Sequence, residues 1–297
     1  MFSEFYVIAT PIGNLEDITI RALKTLRALD YIICEDTRRA NILLNHYHIK
    51  KKFIVCNEYT RADFLATQVL DLLKSDKKVG LISDAGTPII SDPGYELLQF
   101  LIANNIKLIP IPGANAAATA LSAAGIAADK FLFLGFLPRK KKTIENLLKP
   151  LKNLETTIII YESPKRVRNT LQILLEIFGD CKCVVCRELT KIYETISRGK
   201  ISEFINSDNT IIDKGEFVIL VDIRNSAKNS AKFREKSESY IFDPSELDEK
   251  IKRLYNIMTS YGLHSGLALR ALSETFDIKK NTLYKHFILE NKNTADE

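Results

Sequence analysis

The stretch S-D-A-G-T-P-I-I-S-D-P-G, Ser83 to Gly94, puts two aspartates, two glycines and two prolines into one connection. It follows the apolar run Val79 to Ile82, which reads as a buried strand, and precedes Tyr95 to Ala103, which reads as a helix. A simple turn needs far less backbone punctuation. Small residues let a ligand come close to the main chain, and the carboxylates of Asp84 and Asp92 can orient polar groups. Loops at the carboxyl ends of strands in an α/β sheet are where small ligands bind. The residues alone also permit an elaborate structural turn.

Two further loops have the same character. Thr10 to Leu15, T-P-I-G-N-L, closes the first strand; Pro11 and Gly13 make a tight turn, and Asn14 or Asp17 can cap the following helix. It is not G-x-G-x-x-G and carries no phosphate-loop lysine, which argues against the usual dinucleotide and nucleoside triphosphate sites. Pro110 to Asn115 is the third. Three such loops from one sheet argue for a backbone-lined pocket that takes a compact polar ligand. Charged groups stand at other strand ends: Glu35-Asp36-Thr37-Arg38, Tyr161 to Arg168, and Arg187 to Lys191. Asp36 can equally cap a helix, and the two later clusters can equally be salt-bridged surface.

Pro138 to Arg166 holds eight basic residues, Arg139, Lys140, Lys141, Lys142, Lys149, Lys152, Lys165 and Arg166, against three acidic ones. The excess equals the net charge of +5 of the whole chain. A basic concentration beside a pocket suits a phosphate backbone, although a charge run is also commonly a solvated face. Cys181, Cys183 and Cys186 lack a fourth ligand, and alternation along a strand would put the first two on one face and the third on the other. Structural burial is the expected role, and no metal is expected. The four histidines are scattered, with no visible nucleophile–histidine arrangement.

The elements that must position these residues alternate between strand and helix over the first half, as in a mostly parallel α/β sheet. Strands are expected at Phe5–Ala9, Tyr31–Cys34, Phe53–Cys56 and Lys107–Ile111. Helices are expected at Asp17–Leu29, Thr37–His46, Arg61–Lys74, with Phe64, Val69, Leu72 and Leu73 inward, and Ala116–Ala124. That last helix is small and apolar on nearly every face, which predicts tight packing. Less regular spacing from Asp129 onward predicts a mixed sheet. The expected organisation is an α/β domain over 1–124, a second over 125–223, a linker over 224–240 and a helical extension over 241–297, with a helical pair around Asp277–Lys280. The chain of 297 residues, 46% hydrophobic, suffices for one large or two medium domains. Five cysteines fit free thiols in a reducing compartment. No charged leader precedes an apolar stretch, and no window approaches the ~20 apolar residues of a membrane span. A soluble cytoplasmic protein is the expectation.

Taken in order, T-P-I-G-N-L-E-D-I-T, E-D-T-R, S-D-A-G-T-P-I-I-S-D-P-G-Y-E-L, F-L-P-R-K-K, Y-E-S-P-K-R, R-E-L-T-K and K-G-E-F-V resemble the ribosomal RNA small subunit methyltransferase I family. That family lies within the tetrapyrrole methylase superfamily, and the resemblance covers about Phe5 to Asp222. It implies two α/β domains of the tetrapyrrole methylase type with the ligand cleft between them, a small helical C-terminal extension and a homodimer. It implies S-adenosylmethionine-dependent 2′-O-methylation of a cytidine in the decoding region of 16S ribosomal RNA. Carried over, the donor site comprises Pro11, Gly13, Asp84, Ala85, Gly86, Thr87, Pro88, Pro112, Gly113, Ala114, Asn115 and Ala116. The second domain adds Tyr161, Glu162, Ser163, Gly215, Glu216 and Phe217.

The family's histidine-containing motif after the third strand is here Cys56-Asn57-Glu58-Tyr59, and its P-G-P-S/C-A is Pro112-Gly113-Ala114-Asn115-Ala116. Methyl transfer needs an oriented donor, a nearby hydroxyl and a place for its proton. The candidate bases are Asp36, Glu58, Glu162 and Glu188. The candidate phosphate holders are Arg38, Lys165, Arg166 and Lys191, together with the basic run from Arg139 to Lys142. Methylation of a small tetrapyrrole, or a non-catalytic RNA-binding role in ribosome assembly, stands as the alternative.

Overall fold

The computed structural model describes residues 4–57, 60–206, 213–224, 244–260, 264–276 and 283. The chain divides into two compact units, residues 1–236 and 237–297. The first contains two five-stranded sheets. Five strands, β1 (Glu4–Ile8), β2 (Tyr31–Cys34), β3 (Lys52–Val55), β4 (Val79–Ile82) and β5 (Lys107–Ile111), make an all-parallel sheet in the order β3-β2-β4-β1-β5. The central β4, V-G-L-I, is buried throughout, as a parallel strand covered on both faces must be. Helices α1 (Ile20–Ala28) and α2 (Thr37–His46) cover one face through Ala22, Leu26, Ala40 and Leu44. Helices α3 (Ala62–Lys74) and α4 (Tyr95–Ala103) cover the other through Leu65, Val69, Leu73, Leu97 and Leu101.

Two local expectations are corrected. The first α-helix starts at Ile20, where the Thr19 hydroxyl accepts the Ala22 N–H; Leu15–Asp17 is a separate 3-10 turn capped by Asn14. Thr19 is extended, so the helix cannot run back to Asp17. Phe64 points outward and is 71% exposed. The buried stripe of α3 is centred on Leu65, Val69 and Leu73, four residues apart, which leaves Phe64 off the stripe.

The second sheet is mixed, in the order β6-β7-β10-β8-β9. It comprises β6 (Phe131–Phe136), β7 (Thr157–Glu162), β8 (Lys182–Arg187), β9 (Thr195–Lys200) and β10 (Phe217–Asp222), with only β6 and β7 parallel. One face is covered by α6 (Lys141–Leu148), α7 (Val167–Phe178) and α8 (Ile201–Asn206). The other receives α5 (Ala116–Ala124), which buries Ala117, Ala120, Leu121 and Ala124 against Ile159, Val184, Val218 and Leu220. Arg198 on β9 donates to the Ala123 and Ala124 carbonyls at the C-terminus of α5, where cations are favoured. Cys181 and Cys183 sit in the core on one side of this sheet and Cys186 in the core on the other; all five cysteines are buried.

The second unit pairs α9 (Pro244–Ser260) with α10 (Ser265–Phe276), burying Ile251, Leu269, Leu272 and Leu283. Apart from Arg224 and Leu283, the expected linker over 224–240 and the expected turn and last helix after Phe276 lie outside the described residues.

Strand β6 shifts register between Phe133 and Gly135. Gly135 has φ +62°, and a Cβ there would stand 2.9 Å from Ser91 Oγ in the loop after β4. The bulge therefore lets the second sheet approach the loop of the first. Gly135→Ala should cost about 1–2 kcal/mol in urea unfolding, from the left-handed backbone alone. An unchanged midpoint would refute the left-handed backbone described for Gly135.

Candidate functional site

Strands β1 and β4 are neighbours, yet β1 leads toward β2 on one side and β4 toward β5 on the other. This is a topological switch point, where the carboxyl ends of an open parallel sheet leave a crevice. The loops that follow are tied across it. Thr10 N–H donates to the Gly86 carbonyl at 2.8 Å, and Gly86 N–H to the Thr10 carbonyl at 3.1 Å. Ser83 Oγ donates to the Gly86 carbonyl and Thr87 Oγ1 to the Ala114 carbonyl, each at 3.1 Å. The three Gly/Pro loops thus form one wall. Ile89 and Ser91 hold φ of 75° and 67° within it. Such values are strained for a branched side chain, and strain of this kind collects at functional sites.

A cavity of ≈470 Å³ opens at this wall and continues onto the second sheet, at the carboxyl end of β7 and the amino end of β10. It is lined by Asp84, Ala85, Gly86, Thr87, Asn115 and Ala116 from the first sheet's loops, and by Tyr161, Glu162, Ser163, Gly215, Glu216 and Phe217 from the second. Pro11 and Gly13 line an adjoining hollow of ≈210 Å³ instead. Pro88, Pro112, Gly113 and Ala114 line neither. Gly113 lies against Ala9, whose Cβ would stand 2.9 Å from a Cβ at that position, so its smallness serves packing. Tyr161 anchors the second sheet to the wall: its hydroxyl accepts the Ala117 N–H at the start of α5. Phe133 and Phe136 pack edge-on against its ring.

The carboxylates differ sharply in their surroundings. Asp36 caps α2 and chelates the Arg38 guanidinium, whose hydrogen bonds hold its carboxyl down at about 2. Glu162 is wholly buried; it accepts from Thr170 Oγ1 at 2.7 Å and pairs with Arg166 at 3.3 Å. Burial alone would raise the Glu188 carboxyl, but the Lys191 ammonium and the Glu216 N–H leave it below its ordinary value. Glu58 lies outside the described residues. Asp84 accepts the Asp36 N–H and faces Arg39 at 3.5 Å, tying α2 to the wall. Arg39 and Phe136 are cavity residues that the sequence does not single out, and it marks Asp92 only as a group able to orient polar atoms. Asp92 stood inside the quoted loop; the other two gave no signal beyond lying beside a motif.

The cations divide in the same way. Arg166 donates to the Leu137 and Pro138 carbonyls as well as pairing with Glu162, so it pins the start of the basic loop. Lys141 pairs with Glu176, and Lys191 with Glu188 and Glu216. Arg139, Lys140, Lys142 and Lys165 are exposed, as is Arg38 beyond its contact with Asp36. Among the described residues, no helix is long and apolar enough to cross a membrane.

Residues 4–205 match the family model for tetrapyrrole (corrin/porphyrin) methylases. A ribosomal RNA small subunit methyltransferase I from Halalkalibacterium halodurans is 46% identical over 217 residues, covering 73% of this chain and 75% of that protein. One from Buchnera aphidicola is 39% identical and covers 96% of this chain and 95% of its own. The crystal structure of a cobalt precorrin-4 methyltransferase superposes with a TM-score of 0.56 at 18% identity, over 74% of this chain and 94% of its own.

Glu162→Gln should lower stability by about 3 kcal/mol in chemical denaturation, because it leaves a partly buried guanidinium without its counter-charge. A loss under 1 kcal/mol would refute the structural role drawn here for this carboxylate.

Proposed function

The chain belongs to the tetrapyrrole methylase family, grouping within it with the ribosomal RNA small subunit methyltransferases I, and from that premise we propose that it methylates the ribose 2′-hydroxyl of a cytidine in the decoding region of 16S ribosomal RNA with S-adenosylmethionine as donor. The observation that carries this reading is one adjacency. Phe136 lines the switch-point cavity and is 58% exposed, and the basic run Arg139 to Lys142 begins three residues later. The small-molecule cavity and the polycationic surface are therefore neighbours on one strand end.

The lining suits the donor. When bound, S-adenosylmethionine supplies an electrophilic methyl group on a positively charged sulfur. Glu35, Asp84 and Asp92 give the cavity a negative lining that favours such a cation. Ala85, Gly86, Asn115 and Ala116 present main chain and small side chains, as close approach to a compact ligand requires. Ile12, Phe217 and Val218 supply apolar surface that excludes water. The held loops contribute mainly by orientation: they fix where the donor and the acceptor hydroxyl meet, a geometric effect that supplies much of the rate.

On the RNA side, exposed Arg139, Lys140, Lys142 and Lys165 serve as phosphate contacts, while Arg166 positions their loop from beneath. RNA-modifying enzymes must reach a ribose in an accessible strand, so shape and backbone charge, rather than base reading, carry much of the affinity. The substrate is the small ribosomal subunit or its RNA, and the working form is a cytoplasmic homodimer. The competing acceptor is a small tetrapyrrole, and a methyl-transfer assay offering both substrates distinguishes the two.

Mapping 2′-O-methyl groups on small-subunit RNA with and without this chain tests the reading directly: one cytidine in the decoding region should lose its mark when the chain is absent, and an unchanged map refutes it. Replacing Lys140, Lys141 and Lys142 together with alanine should weaken RNA binding and reduce the slope of log affinity against log salt by about 2, since Lys141 is already held by Glu176. Donor affinity measured by calorimetry should stay unchanged. Equal RNA binding by the triple variant would remove the basic run from the interface.

A further inference from the structure

A hydroxyl becomes a useful nucleophile only if its proton leaves as its oxygen attacks. Among the described residues, five carboxylates line the main cavity: Glu35, Asp84, Asp92, Glu162 and Glu216. Glu162 is committed to Arg166 and Thr170, Asp84 to the Asp36 amide and Arg39, and Glu216 to Lys191. Asp92 forms no ion pair with a lysine or arginine among the described residues; the partner recorded for its side chain is the Ser83 hydroxyl. Its backbone is fixed by left-handed Ser91 before it and by Gly94, φ +116°, after it.

Its position is distinctive in a second respect. A separate hollow of ≈310 Å³ lies ahead of α4, lined by Cys56, Asn57, Thr60, Leu65 and Pro93 to Leu97. Among the described residues, Asp92 alone borders both this hollow and the main cavity. In-line transfer places donor and acceptor on opposite sides of the migrating methyl, so the proton acceptor belongs where two such spaces meet.

We propose that Asp92 is the general base of the reaction assigned in the preceding subsection, and the inference rests on that assignment. As the acceptor oxygen forms its bond to the methyl carbon, the carbon–sulfur bond breaks with its electron pair passing to sulfur, and the hydroxyl proton passes to a carboxylate oxygen of Asp92. No further reactant is needed, and the proton leaves to solvent after turnover. The groups facing Asp92 are Glu35 at the end of β2, Ser83 and Asp84 after β4, and Tyr161 on β7. Burial pushes its carboxyl up to about 6; Glu35 and Asp84 add to the rise, and the Ser83 hydrogen bond opposes it. Such a group is ionised at neutral pH yet holds a proton better than an ordinary aspartate, as a working base must.

The stability consequence has the opposite sign to that of an ion-paired aspartate. The folded chain binds this proton more tightly than the unfolded chain, so its contribution to stability falls as pH rises from the ordinary 3.8 to about 6. Asp92→Asn removes that loss, and its melting temperature at neutral pH should equal or exceed that of the native chain. The same variant loses one charge of the donor lining and should bind S-adenosylmethionine no more than about tenfold more weakly by calorimetry, while turnover on small-subunit RNA at saturating donor falls by about 10²–10⁴-fold.

Carboxyl carbon NMR on the chain without donor supplies a readout independent of turnover. Asp92 should titrate near 6, and its midpoint should fall in Glu35→Gln. The inference is overturned if Asp92→Asn keeps turnover within threefold of the native chain, if Asp92 titrates at its ordinary value, or if Glu35→Gln abolishes turnover while Asp92→Asn does not. Native chain run alongside carries the assignment of function: its silence on the RNA overturns both readings, whereas native turnover with an unimpaired Asp92→Asn overturns this one alone.

Discussion

The seating of the alanine-rich helix α5 on the second sheet is the contact on which the rest of the cleft depends. The helix begins at Asn115 and Ala116, residues of the cavity wall, and ends under the Arg198 guanidinium of β9. Between those points it offers Ala117, Ala120 and Ala124, whose small side chains let the helix axis approach Ile159, Val184 and Val218 closely. Interiors pack at crystalline density, so a larger residue on this face would displace the sheet and not merely dent it. Tyr161 and Val218 belong both to this packed layer and to the cavity lining. The distance between the two halves of the site is therefore set by methyl groups, and the polar chemistry is arranged around a spacing it does not control.

Around that spacing, charge is sorted by burial. The deepest carboxylate, Glu162, has three partners and holds the strand end and the basic loop together through Arg166. Shallower ones, Asp36 and Glu188, are neutralised locally by Arg38 and Lys191. What is left facing the cavity is a small negative field with a polycationic surface beside it. The two signs suit two ligands, a cationic methyl donor inside and a polyanion outside. Their separation by only a few residues of β6 and its following loop keeps the donor and the polymer from competing for the same groups.

Much of this was legible in sequence, for identifiable reasons. Val79 to Ile82 is apolar throughout, which a central parallel strand requires; the three Gly/Pro loops read as strand-end connections; and the small apolar run Ala116 to Ala124 announced a tightly packed helix, although it buries only the face of Ala117, Ala120, Leu121 and Ala124 and leaves Ala118, Ser122 and Ala123 exposed. The ordered motifs then supplied the family. Where local pattern gave two solutions, reading failed: the stripe of α3 centres on Leu65, not Phe64, and the first helix begins after a 3-10 turn that composition does not distinguish from a helical first turn. At the site, residue type identified carboxylates but not their roles. Asp36 and Glu162 look as reactive in sequence as Asp92; only folding shows that Arg38 and Arg166 occupy the first two, while Glu35 and Asp84 crowd the third.

The five cysteines carry a consequence for handling and for life under oxidants. All are buried, and burial pushes the thiols of Cys34 and Cys186 up to about 12, so almost none of either is thiolate at neutral pH. The thiolate is the form that attacks peroxides and disulfides, and here a sheet would first have to open to expose one. The cysteines of the folded enzyme should pass through oxidative bursts chemically unmarked. Thiol labelling of this chain reports unfolding, not redox signalling, and could serve as a clock for how often its two sheets come apart.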